Sequence, residues 1–89
     1  MARKEKYFND GLNKYHSGDY KGAIKDFDKV IEECNKYVEE GNYISVRNIL
    51  PDAYNNRGLA KTYLGLYKEA IKVYDKAIVL YKNEIQEFT

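Results

Sequence analysis

From Tyr7 to His16 the apolar and small residues fall four apart, with Tyr7, Gly11 and Tyr15 on one line and Phe8, Leu12 and His16 on the next. This is the repeat of a helix. Ser17-Gly18-Asp19 predicts its end, because Gly18 can take the left-handed backbone that closes a helix and Asp19 can accept from the free amides of the next one. A second helix then shows a broad apolar stripe of Ala23, Ile24, Phe27, Val30, Ile31 and Cys34. After a turn at Gly65 the same design returns as Ala70, Ile71, Tyr74, Ala77, Ile78 and Tyr81.

The return is a duplication. Residues 7–34 align without a gap on residues 54–81, a shift of 47 positions, and 14 of the 28 pairs are identical. A self-similar unit of this length marks a repeat architecture, in which each unit buries its apolar face on a neighbour. In each unit the glycine (Gly11, Gly58) stands 12 residues before an alanine (Ala23, Ala70). A tight hairpin would bring these two small residues face to face and let the helices sit close. The expected fold is all-α: antiparallel helical hairpins stacked as a short α-solenoid in one domain spanning 1–89.

Repeat one covers about 3–36, an insertion about 37–50, and repeat two about 51–84, with a helical extension to 89. The second helix is expected to run past Tyr37 and Val38 to about Glu40, with Gly41 as its cap. Tyr43, Ile44, Val46, Ile49 and Leu50 make the following segment too apolar for a free linker, and a short helical turn over a core edge fits it best. Pro51 then falls in the first turn of the third helix, where its missing amide costs nothing; the rival reading starts that helix earlier and kinks it there.

Composition adds mainly exclusions. Fifteen basic and fourteen acidic residues leave no charge bias toward nucleic acid or anionic lipid. Ten tyrosines among lysines could stack bases, but no basic stripe accompanies them. No apolar run is long enough to cross a bilayer and no signal-peptide core follows Met1, so the chain reads as cytoplasmic. Lys21, Lys25, Asp26, Asp28, Lys29, Glu32 and Glu33 read as a solvated outer face, as do Lys68, Glu69, Lys72, Asp75 and Lys76.

Cys34 is the single cysteine, which excludes an internal disulfide and argues against a thiolate metal site. Its place on the stripe, with Lys36 pointing elsewhere, makes it a buried small hydrophobe. His16 lies by the turn and Cys34 about four turns up the next helix, roughly 20 Å away, so the two form no dyad within one hairpin. No nucleophile with a base, metal cluster or phosphate loop is present. The expectation is therefore no enzyme, no cofactor and no metal.

Tyr7, Gly11, Ala23 and Phe27, and again Tyr54, Gly58, Ala70 and Tyr74, together with the Gly18-Asp19-Tyr20 turn, resemble the tetratricopeptide repeat family. Departures are Asp10 and Arg57 at the family's Leu, Lys14 and Lys61 at its Tyr, and Asn35 and Lys82 at its Pro. The resemblance implies partner binding in a concave groove lined by the first helix of each repeat. By position that groove presents Phe8, Leu12, Tyr15 and His16 with Asn55, Leu59, Thr62 and Tyr63. Phe8 and Leu12 stand where some members hold a peptide carboxylate with Lys and Asn, so an apolar or amphipathic segment is the expected guest. Two hairpins are also few for a groove, and the same residues could simply pack together.

The last helix continues through Ala77, Leu80, Tyr81, Ile85 and Phe88 with no polar cap behind it. So large an apolar face points to self-association, most simply a two-fold homodimer, or to a longer array. Two functions compete: a protein-interaction module that binds a protein or peptide, and a purely architectural or designed repeat scaffold with no ligand.

Overall fold

A computed structural model describes the backbone of residues 3–87 and the side chains of residues 3–82. It consists of α1 (Arg3–His16), α2 (Tyr20–Glu39), a single 3-10 turn (Tyr43–Ser45), α3 (Ile49–Tyr63) and α4 (Tyr67–Glu87). No strand occurs among the described residues. α1 with α2 and α3 with α4 form antiparallel hairpins, and α3 packs along α2 and also touches α1. The molecule is 18 Å across its thinnest direction, two helices deep, so every helix keeps one side at the surface.

Three helices end in the same way. Gly18, Gly41 and Gly65 have φ of 87, 80 and 79°, the left-handed region that glycine enters at no steric cost. Their placement lets the following amide reach back to a carbonyl five residues earlier: Asp19 N to Lys14 O (2.8 Å), Asn42 N to Tyr37 O (2.8 Å) and Leu66 N to Lys61 O (2.9 Å). Asp19 then caps α2 by accepting from the Gly22 amide at 3.0 Å.

The hairpins close around a ring rather than around two small residues. A Cβ on Gly11 would lie 2.7 Å from the Phe27 ring, and one on Gly58 2.8 Å from the Tyr74 ring. The nearest neighbour of each glycine is thus the aromatic four residues beyond the alanine expected there. The missing side chain makes room for a ring, and Phe27 is completely buried.

The main core lies between the hairpins. Val30, Ile31 and Cys34 of α2 meet Leu50 and Ala53 of α3, with Val46 closing one side, and Tyr7, Phe8, Tyr54 and Leu80 pack around them. Val46 is 0% and Leu50 2% exposed, so the connecting segment covers the core edge as expected. α3 starts at Ile49 and holds the buried Pro51 in its first turn, where a missing amide breaks no helical hydrogen bond.

Candidate partner-binding surfaces

Of the expected groove residues, Phe8, Leu12, Tyr15, Asn55, Leu59 and Thr62 are half-buried, and His16 and Tyr63 are exposed. Phe8 sets its edge on Phe27 with centroids 5.9 Å apart. The Thr62 hydroxyl donates to the Gly58 carbonyl at 2.9 Å and lies 3.3 Å from the Tyr74 hydroxyl. α1 and α3 come together at their C-terminal ends, where Tyr15 meets Tyr63 edge-on at 5.8 Å. Tyr20, absent from the expected set, stacks on Tyr63 at 4.9 Å and 7° and also touches Tyr15 at 5.7 Å. His16 rests against Tyr15 at 5.4 Å. Burial, with Tyr63 beside it, pushes the Tyr15 phenol above its ordinary range. Tyr20 opens α2 and follows the turn directly, which is the signal that could have placed it here.

Charge is arranged less simply than as a solvated face. Asp26 is 5% exposed and meets the Lys14 ammonium at 2.9 Å, so it belongs to the hairpin interior. A lysine occupies the same place in both hairpins. Lys14 takes its acid from Asp26, whereas Lys61 takes it from Glu69 at 2.7 Å. The counterpart of Asp26 is Val73 and that of Glu69 is Gly22, so each repeat keeps one acid within reach of the lysine. Asp28 is likewise engaged: Arg57 reaches it from α3 at 2.6 Å, linking the two hairpins.

Cys34 lies fully buried. Burial pushes its thiol up to about 11, although Lys4, itself buried and 4.7 Å over the Tyr37 ring, acts in the opposite direction. A cation from α1 therefore does lie near, but desolvation outweighs it. The Lys14 ammonium is also raised, chiefly by its bond to Asp26. Both shifts act at alkaline pH. The Lys14 contribution is present below the unfolded lysine value and is lost as pH rises through the folded one. The unfolded thiol ionises first, so Cys34 withdraws stability between pH 9 and about 11, by up to about 1.4 kcal/mol per pH unit. Urea unfolding at pH 8, 9.5 and 10.5 is expected to show a falling midpoint, with a shallower fall in Cys34→Ala.

The expected self-association face needs correction. Ala77 is 2% exposed and Leu80 packs on the main core, so both point inward. Tyr81 sits at the margin, 36% exposed, and its hydroxyl donates to Asp52 at 2.5 Å. The side chain of Ile85, and Phe88 altogether, lie outside the described residues. Consecutive apolar residues on a helix cannot all share one face, and here 77 and 80 take the inner one. The outer ridge of α4 is formed instead by Tyr67, Ile71 and Ile78, 64, 59 and 49% exposed. A recess of about 360 Å³ opens behind Leu80, lined by Val38, Tyr43, Leu50 and Tyr54; none of these belongs to the expected groove.

Residues 51–84 match the family model of the tetratricopeptide repeat. The second hairpin is thus similar to a tetratricopeptide repeat. The matched segment runs from the first turn of α3 to near the end of α4, and its Gly58 and Tyr74 form the close contact described above. The first hairpin makes the same contact with Gly11 and Phe27. Compared with curated proteins and with solved structures, the chain matches none. No helix among the described residues is long and apolar enough to cross a membrane.

Proposed function

We propose that this chain is a non-catalytic, cytoplasmic interaction module that receives an apolar or amphipathic segment of another polypeptide along α1 and α3, and that it associates with itself through α4. The observation that supports the first part is that Phe8 and Leu12 of α1 and Leu59 of α3 stay only half-buried, with Tyr63 exposed where the two helices meet. A surface of this kind offers apolar area and aromatic edges with few charges, which is how helices and extended segments are held in grooves.

The test is selection of a displayed library of amphipathic peptides on the wild-type chain, followed by titration of a selected peptide against Leu59→Asp. A buried carboxylate in the line is expected to weaken binding by more than about tenfold, about 1.4 kcal/mol. The circular dichroism spectrum should remain unchanged, since Leu59 is outside the main core. Equal affinity of the variant would remove the groove from the proposal.

A further inference from the structure

The two repeats allow a comparison that names the occupant of the α4 ridge. Shifted by 47 positions, Tyr67, Ile71, Asp75 and Ile78 of α4 correspond to Tyr20, Ile24, Asp28 and Ile31 of α2. On α2 this face is covered by α3: Ile31 is 9% exposed, whereas Ile78 is 49%. α3 holds it with Leu50, Ala53 and Tyr54, and sets Arg57 on Asp28 at 2.6 Å. The α4 ridge therefore has the composition of a surface that takes a helix.

The chain's own α1 is the wrong helix for it. At the positions of Leu50, Ala53 and Arg57, α1 carries Arg3, Lys6 and Asp10. Head-to-tail stacking of copies would put two cations where α3 has apolar residues, and would bring Asp10 toward Asp75 in place of an arginine. This mismatch opposes open-ended stacking.

From these observations, and resting on the self-association read above, we infer that α4 pairs with α4 of a second copy, antiparallel about a two-fold axis near Ile78. In that register Asp75 of each copy stands opposite Lys82 of the other, and Ile78 packs beside Ile78 and Tyr81 of the other. A parallel pair would set Asp75 level with Asp75 and Lys82 level with Lys82, which like charges oppose. Ile71 and Ile78 stand seven residues apart on the exposed side of α4, and they lead the contact, because Tyr74 turns inward to Gly58.

The test uses sedimentation of the full chain from 1 to about 200 μM (order of magnitude for a modest interface). The wild type is expected to form dimers and nothing larger, and Ile78→Lys to be monomeric. Asp75→Lys and Lys82→Asp are each expected to weaken the dimer by about tenfold, because each change acts at two symmetric pairs. Mixing the two single variants should restore association, since both cross-pairs become opposite in charge. Circular dichroism of each variant checks that these exposed changes leave the fold intact. A wild type that stays monomeric overturns self-association itself. A wild-type dimer whose two charge variants fail to recover on mixing overturns the antiparallel α4 pairing while leaving self-association standing. Growth beyond the dimer overturns the closed two-fold arrangement.

Discussion

Replacing Phe27 by alanine is expected to leave only a small fraction of the first hairpin's stability. The ring is completely buried, fills the space that Gly11 leaves open and carries the edge of Phe8 at 5.9 Å. Removal of a buried phenylalanine costs about 3–5 kcal/mol, and the edge contact adds about 0.5–1.5. A chain of 89 residues has on the order of 4–13 kcal/mol in all. The cavity cannot close by approach of the helices, because the backbone at Gly11 is already held by the tight turn at Gly18 and by the Lys14–Asp26 pair across the hairpin. Urea unfolding followed by far-UV circular dichroism should show a midpoint lower by roughly 2 M. Tyr74→Ala, the same change in the second hairpin, is expected to cost less, since that ring is only half-buried. Equal losses at the two positions would show that the first hairpin is not the more closely packed one.

The contrast between Phe27 and Tyr74 shows what could be read from the residues beforehand. Helix periods and the glycine turns at Gly18, Gly41 and Gly65 are local properties, set by backbone sterics within a few residues, and each appears in the structure where expected. What a helix faces depends on the rest of the chain. Asp26 reads as solvated until Lys14 is set across from it, and Cys34 reads as lacking a cation until α1 brings in Lys4. The glycine looked like the partner of the alanine 12 residues on, whereas the ring four residues further fills its place. For the candidate surfaces the same division holds. The identity of the α1 and α3 residues followed from the repeat, but the joining of Tyr15, Tyr63 and Tyr20 into one aromatic cluster needed the hairpin ends to converge. On α4 the apolar run 77–81 suggested a face, and only the position of α3 divides it into inward Ala77 and Leu80 and outward Ile78.

Leu50→Ala is the second substitution with a large expected effect, and it bears on how the two hairpins depend on each other. Leu50 is 2% exposed and touches the cluster of Val30, Ile31, Cys34, Val46 and Ala53, so its truncation costs about 2–5 kcal/mol. In repeat proteins stability is close to a sum of unit terms and interface terms. With two hairpins there is one such interface, and this chain places its main core there rather than inside either unit. The loss should therefore reach α1, which does not contribute the buried residues of that cluster. Hydrogen exchange is expected to quicken in the amides of α1 and α2 as much as in those of α3 and α4, all by the factor that the lower unfolding free energy dictates, about tenfold per 1.4 kcal/mol. Quickening confined to α3 and α4 would mean that the first hairpin stands without the second. In that case the Arg57–Asp28 pair and the core beneath it would be a docking contact between two independent units instead of the seam on which both rest.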